Sequence, residues 1–176
     1  MSVTSSPDAA AAPSAPGDGR PPHPSELLRR TLRRQAAAVT VVTVPGPAGF
    51  TATSFTSASL EPALVSFYLG SSASTANAVR QAPGFAVHIL GVGQVDLAKG
   101  FARSGVDRFD GVEWTPREGG VPVLSGVAAW LTAETVRVVD IGDHFLVVGR
   151  LREVGGQDAQ SPLVHHDGTF GTFRAA

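Results

Sequence analysis

Apolar residues recur along this chain at two different spacings. Over residues 25–37 they lie three or four positions apart, with Pro24 and Ser25 as start signals, which predicts a first helix. Shorter helical patterns cover residues 74–81 and 94–102. Segments rich in β-branched and aromatic residues predict strands at 39–44, 64–69, 85–90, 128–139 and 144–154. Because strands outnumber helices, the pattern predicts a mainly β fold, a closed antiparallel barrel with a few peripheral helices.

A hydroxyl-rich strand over residues 49–60 breaks the usual alternation of apolar and polar positions. Ala52 and Ala58 share one parity, whereas Phe55 has the other. Either the strand therefore bulges near Ser54 or both of its faces are used. A bulge turns backbone groups outward, so a polar, bent strand suits a phosphorylated ligand. The hydroxyl groups belong to Thr51, Thr53, Ser54, Thr56, Ser57 and Ser59.

A second hydroxyl-rich segment, residues 70–75, lies between a buried strand and a short helix. Ser74 or Thr75 would be the N-cap of that helix. The free N–H groups of a first helical turn, together with the positive end of the helix dipole, suit a phosphate. The alternative is a capped turn without a ligand, since Ser and Thr caps are common.

Two further segments carry chemistry. Phe101 and Arg103 follow the second of the short helices, with Arg108 as a further guanidinium, and Arg side chains bind phosphate oxygens well. The alternative is a core Phe101 with solvated arginines. His144 directly follows a turn over residues 140–143 that joins the last two strands as a hairpin. It is placed at a barrel rim, where it is either a ligand-facing imidazole or an ordinary turn histidine.

Two motifs are set aside. His165 and His166 are adjacent on a strand and point to opposite faces, so they cannot both ligate one metal ion, and no metal site is predicted. Residues 91–96 resemble a truncated dinucleotide fingerprint, but Asp96 stands where the third glycine belongs. A carboxylate there would face the pyrophosphate, and no alternation of strands and helices surrounds the segment.

Composition bounds the class of protein. The chain has 176 residues, is 16% charged and carries a net charge of -1, so nothing draws it to nucleic acid or to an anionic membrane. It contains no cysteine, which fits a reducing cytoplasm. Residues 1–24 are dominated by Ala, Pro, Ser and Gly without periodicity and are predicted to be a disordered tail. The folded domain is predicted to cover residues 25–176.

The stretch from Gly49 to Leu69 resembles the signature of the flavin reductase family, with Phe50 where the family has Met and Ala63 where it has a second Pro. The similarity continues, in the family's order and approximate spacing, through five further blocks and covers roughly residues 26–173. These blocks are residues 71–75, 85–90, 97–102, 107–109 and 142–144.

The resemblance implies an FMN-binding split β-barrel, antiparallel and Greek-key-like, that forms a homodimer with the flavin groove between subunits. It implies an NAD(P)H:flavin oxidoreductase that reduces FMN or FAD with NADH or NADPH. Reduced flavin would pass to a partner monooxygenase in the cytoplasm. The flavin-binding residues that it implies are Thr51, Thr53, Ser54, Phe55, Thr56, Ser59, Ser71, Ser72, Ser74, Thr75, Phe101 and Arg103.

By the same resemblance, His144 would orient the nicotinamide rather than act as a base, because hydride transfer needs no proton abstraction. Two other functions stay open on this barrel. One is an oxidase that retains its flavin, and the other is a non-catalytic flavin or haem carrier.

Overall fold

The computed structural model describes residues 21–156 and 161–175. In chain order these residues form α1 (Pro24–Leu32), β1 (Ala37–Ala38), β2 (Thr40–Val44), β3 (Ala48–Ala52), β4 (Thr56–Ser59), β5 (Leu64–Gly70), α2 (Ala76–Gln81), β6 (Gly84–Ile89), α3 (Val95–Ala102), β7 (Trp114–Pro116), β8 (Pro122–Leu124), β9 (Ala129–Ile141), β10 (His144–Gly156), β11 (Leu163–His166) and β12 (Thr169–Thr172). None of the described helices is long and apolar enough to cross a membrane.

The chain divides into two compact units, Met1–Leu32 and Arg33–Ala176. Helix α1 lies in the first unit, and the described strands lie in the second. The predicted first helix was too long at its C-terminal end, because Ala37 and Ala38 pair with Val164 and His165 in a small sheet of β1, β11 and β12. The tail predicted over residues 1–24 lies outside the described residues apart from its last four.

The main sheet has seven strands in the order β3-β2-β6-β9-β10-β5-β4, and every neighbouring pair is antiparallel. Strands β9 and β10, of 13 residues each, form the predicted long hairpin. Gly142 adopts a φ of 60° in its turn, a conformation that favours glycine. The prediction of a mainly β, antiparallel fold with few helices is confirmed.

Strands β3 and β4 lie at opposite edges of this sheet, although only residues 53–55 separate them in the chain. In a flat sheet, six strand spacings would put the edges about 29 Å apart. The four residue steps from Ala52 to Thr56 span at most about 14 Å. The sheet must therefore curl so that its edges approach each other. The break in alternation at Phe55 marks this passage from one edge to the other.

Contacts of β3 and of residues 53–55 with β5, the neighbour of the opposite edge strand, agree with the curl. The rings of Phe50 on β3 and Phe67 on β5 lie 5.7 Å apart between centroids. The Ser54 hydroxyl accepts from the Tyr68 N–H and donates to the Tyr68 carbonyl oxygen, both at 3.1 Å. Ser54 thus joins the passage to β5. The irregular register lies between Ser57 and Ser59, farther along than the bulge predicted near Ser54.

A second core cluster lies between β2, α3 and β11 and contains the completely buried ring of Phe101. Gly49 makes this packing possible. A Cβ atom at Gly49 would lie 2.7 Å from Cε1 of Phe101 and 2.9 Å from the Val42 carbonyl oxygen. Any side chain there would push α3 away from β3.

His88 on β6 is a buried polar residue of the main sheet, with 0% of its surface exposed. Its Nδ1–H donates to the Val41 carbonyl oxygen at 2.9 Å, and Nε2 accepts from the Leu124 N–H at 3.0 Å. Both ring nitrogens are thus satisfied in the neutral form. Burial lowers the pKa of His88 from 6.5 to about 4, although the bond to Val41 acts in the opposite direction.

We expect acid to destabilise the fold through His88. Below pH 6.5 the unfolded chain binds a proton that the buried ring does not take until about pH 4. The free energy of unfolding should therefore fall by up to about 1.4 kcal/mol per pH unit over this range through His88 alone. Urea unfolding from pH 7 to 4.5 measures this fall, with His88→Gln as the reference. Equal pH slopes for the two proteins would contradict the assignment.

Candidate active site

The loop over residues 71–75 and the β9–β10 turn lie at the same end of the main sheet. Gly70 at the end of β5 is the register partner of His144 at the start of β10. The Ser71 N–H donates to the Asp143 carbonyl oxygen at 2.9 Å. A Cβ atom added to Gly70 would lie 3.8 Å from Nε2 of His144. The structure therefore brings together the two groups that the family resemblance assigned to the flavin phosphate and the nicotinamide.

His144 is held through one ring nitrogen. Its Nδ1 lies 2.7 Å from a carboxylate oxygen of Asp143, and 50% of the side chain is exposed. A carboxylate at this distance fixes the orientation of the ring, since a bond at one nitrogen sets the direction of the other. An oriented, half-exposed imidazole at a strand end is suited to contacting a ligand.

The hydroxyl groups of the loop differ in their surroundings. Ser71, Ser72 and Ser74 are exposed. Thr75 is buried, and its Oγ1 lacks a hydrogen-bond partner among the described residues. A buried hydroxyl without a partner costs about 1–3 kcal/mol, so a ligand oxygen at this point would remove a penalty.

The expected capping of α2 holds only in part. Thr75 occupies the N-cap position, but its side chain makes no capping hydrogen bond. The reason is its backbone, with φ -94° and ψ -3°, which is already helical, whereas a capping residue is usually extended. Because α2 has only six residues, an anion at this point would be bound by the loop hydroxyls and nearby cations rather than by the helix dipole.

Arg108, and not Arg103, connects to this loop. Its Nη2 donates to the Ser74 hydroxyl at 3.1 Å, Nη1 to the Gly49 carbonyl oxygen at 2.7 Å, and Nε to the Arg103 carbonyl oxygen at 2.6 Å. The Arg103 side chain is exposed. Arg108 thus joins β3, the end of α3 and the loop. The prediction from sequence named Arg103 and kept Arg108 only as a further guanidinium, although Arg108 belongs to the block over residues 107–109 that carries the resemblance.

The expectation that Phe101 contacts a ligand is not supported. Its ring is 0% exposed and packs edge-on against Phe109, with 5.1 Å between centroids. A ring without exposed surface cannot stack on a flavin. The alternative stated above, a core phenylalanine of α3, describes its place in the structure.

The hydroxyls of residues 51–59 fall into two groups, those that bond within the protein and those that are exposed to solvent. Thr51 donates to the Ala98 carbonyl oxygen of α3 at 2.6 Å, and Ser54 binds the backbone of Tyr68, so these two hydroxyls are used within the protein. Thr53 and Thr56 are exposed. Phe55 is partly buried against the main core, and Ser59 is also partly buried. The exposed hydroxyls of Thr53, Thr56 and Ser57 are therefore the members of this stretch that a ligand could reach.

Two cavities lie elsewhere. One, of about 320 Å³, is bordered by Arg117 and Trp130, and the other, of about 490 Å³, by β1 and β12. Neither is lined by a predicted site residue. His165, set aside as a metal ligand, packs against the Phe170 ring at 5.5 Å between centroids.

Comparison with known proteins identifies the family of this chain. The flavin reductase like domain matches residues 32–174. The chain is 43% identical to the NADH:FMN oxidoreductase of Rhodococcus erythropolis over 150 residues, which cover 81% of this chain and 78% of that protein. It is 40% identical to the reductase component of the flavin-dependent trigonelline monooxygenase of Acinetobacter baylyi over 128 residues, 70% of this chain and 41% of that protein.

A solved structure agrees with these relatives. The NADH:FAD oxidoreductase of Streptomyces globisporus, in complex with NAD and FAD fragments, superposes with a TM-score of 0.81 and 36% identity. The match covers 86% of this chain and 93% of that one. Fold and site thus define a class of mainly antiparallel β proteins with a hydroxyl-rich loop, here residues 71–75, beside an oriented histidine. The chain belongs to the flavin reductase family.

We expect Thr75→Val to have opposite effects on stability and binding. Removing the unpartnered hydroxyl should raise the free energy of unfolding of the ligand-free protein by about 1 kcal/mol. It should weaken flavin binding about tenfold or more, because a hydrogen bond to a charged phosphate contributes about 1.5–3 kcal/mol. Urea unfolding and flavin titration measure the two effects.

Thr135→Val is the matched control. Its Oγ1 is likewise buried without a partner among the described residues, but Thr135 lies on β9 near Pro83, away from the loop. This variant should gain stability and bind flavin as the wild type does. Equal flavin affinity in the wild type and both variants would indicate that residues 70–75 form a turn that binds no ligand.

Proposed function

We propose that this protein is an NADH-dependent flavin reductase that reduces FMN or FAD and supplies reduced flavin to a separate monooxygenase. The observation that carries this function is the bond from the Ser71 N–H to the Asp143 carbonyl oxygen. This bond supports the proposal because it joins the loop over residues 71–75 to the turn before His144, so that one end of the sheet would offer groups for both reactants. The names of the relatives support NADH over NADPH as the donor.

The reaction moves a hydride from nicotinamide C4 to flavin N5 while a solvent proton reaches N1, so that NADH and oxidised flavin become NAD⁺ and reduced flavin. This chain has to hold and orient the reactants, since positioning supplies much of such a rate enhancement. Arg108 and the hydroxyls of Ser72, Ser74 and Thr75 would hold the phosphate. His144 would orient the nicotinamide.

A homodimer would complete the site. Tyr68, Leu146 and Val139 are register partners across β5, β10 and β9 and share the face of the sheet that points away from the core. Tyr68 is 42% exposed, and Ile141 beside His144 is 46% exposed. A second copy on this apolar face would remove it from water and would enclose the site.

The chemistry of the product, reduced flavin, favours a second enzyme that uses it. Reduced flavin reacts with oxygen in solution, and the trigonelline enzyme of Acinetobacter baylyi is named as having a reductase component. A flavin-dependent monooxygenase is therefore the proposed partner, and the cytoplasm, where NADH is regenerated, is the proposed compartment.

Anaerobic mixing of the purified protein with NADH and excess flavin tests this function. A flavin reductase bleaches the whole excess rapidly. Bleaching that stops at one flavin per protein would indicate an oxidase that retains its flavin, and no bleaching would indicate a carrier. Either of these outcomes would contradict the proposal.

We expect His144→Ala to bind oxidised flavin nearly as the wild type does and to lose about a hundredfold in kcat/KM for NADH. One well-placed transition-state contact contributes about 2–4 kcal/mol, and about 1.4 kcal/mol corresponds to tenfold. Stopped-flow measurement of flavin reduction gives the rate, and reduction by dithionite should be unchanged. His166→Ala, an exposed histidine on β11, is the control. Wild-type rates for His144→Ala would leave it an ordinary turn histidine.

Light scattering should report a dimer at micromolar concentration. Tyr68→Glu should produce a monomer with weakened flavin binding, because it places a charge in the apolar face. Val154→Glu changes a residue of β10 that is 66% exposed and should leave the dimer intact. A wild-type monomer that binds flavin would refute the shared site.

A further inference from the structure

Arg80, in the last turn of α2, contacts three separate parts of the candidate site. Its Nη2 lies 2.6 Å from a carboxylate oxygen of Asp140 and 3.4 Å from the Ser71 hydroxyl. Its guanidinium carbon lies 4.0 Å from the centroid of the Phe145 ring. One side chain thereby joins a helix, both strands of the β9–β10 hairpin and the first residue of the loop over residues 71–75.

The contacts of Arg80 flank His144 and its turn along the chain. Asp140 precedes the β9–β10 turn, Phe145 directly follows His144, and the two are register partners. Arg80 thus holds both sides of the turn, while Ser71 ties the same guanidinium to the loop. The place of the imidazole relative to the loop hydroxyls therefore depends on Arg80 as well as on the Ser71–Asp143 backbone bond.

Stability alone does not account for this arrangement. The Asp140 side chain is 75% exposed and that of Arg80 is 32% exposed. Ion pairs with so exposed a partner contribute little to folding, because solvent screens them and ordering two long side chains costs entropy. The main effect of these contacts is therefore to fix the positions of the hairpin and the loop, rather than to raise the free energy of unfolding.

We propose that Arg80 is a positioning residue, which holds His144 and the loop over residues 71–75 at the spacing required for hydride transfer. This role rests on the proposed flavin reductase function. A displacement of about 1 Å between reacting groups can lower a rate about a hundredfold. Arg80 acts on the rate through the hairpin and the loop, and it does not bind either reactant.

The shape of the guanidinium makes the role specific. Its planar group stacks on Phe145 and reaches both Asp140 and Ser71, whereas an ammonium group is a compact charge without a flat face. Arg80→Lys retains the charge beside Asp140 but loses the stacking. Its rate of flavin reduction should therefore lie between those of the wild type and Arg80→Gln.

Stopped-flow reduction at saturating flavin and NADH tests the effect on the rate. Arg80→Gln should reduce flavin about tenfold more slowly, with a flavin Kd within threefold of the wild type and Arg80→Lys intermediate. Arg152→Gln removes an exposed arginine that pairs with Glu134 elsewhere on the hairpin and should react at the wild-type rate. A wild-type rate for Arg80→Gln, or a loss confined to the flavin Kd, would overturn the proposal.

Amide hydrogen exchange of the ligand-free protein gives a readout that is independent of activity. Peptides covering residues 70–75 and 140–145 should exchange faster in Arg80→Gln and in Asp140→Asn, and as in the wild type in Arg152→Gln. The second substitution tests the same contact if the first fails to fold. Unchanged exchange in the folded variants would overturn the proposal. If the variants exchange faster but the wild-type protein does not reduce flavin, the proposed function is refuted. The structural role of the Arg80 contacts would then still stand.

Discussion

The short passage from β3 to β4 is the constraint on which the rest of the structure depends. Residues 53–55 join opposite edges of a seven-stranded sheet, and the sheet has to curl to let them do so. The curl encloses the aromatic cluster in which the Phe67 ring meets Phe50 and, edge-on at 5.1 Å, Phe85. It also brings the hydroxyl-rich stretch alongside β5, where Ser54 binds the Tyr68 backbone.

The curl also affects the candidate site, because β5 carries the loop over residues 71–75 and β3 lies at the opposite edge of the sheet. The register between β5 and β10 places Gly70 opposite His144. Arg108 attaches the same loop to β3, and Arg80 attaches it to the hairpin. Backbone register sets the position of His144 relative to residues 71–75. Arg108 and Arg80 both contact the loop that follows β5.

Sequence predicted the parts of this structure that local pattern determines. β-branched runs and the glycine turn located the long strands and the hairpin, because strand composition and turn chemistry are local. The pairing of Ala37 with β11 was missed, since it depends on a partner far along the chain. For the same reason, pattern alone could not show that Phe101 is buried beneath Gly49, or that Arg108 rather than Arg103 reaches Ser74.

The central claim is that one end of the curled sheet binds the flavin. Titration of isotope-labelled protein with FMN, followed by the amide resonances, tests it most directly. The account predicts the largest shifts at residues 53–56 and 71–75, where the exposed hydroxyls of the passage and the loop lie. Shifts centred on the cavity beside Arg117 and Trp130, with these two segments unchanged, would contradict it.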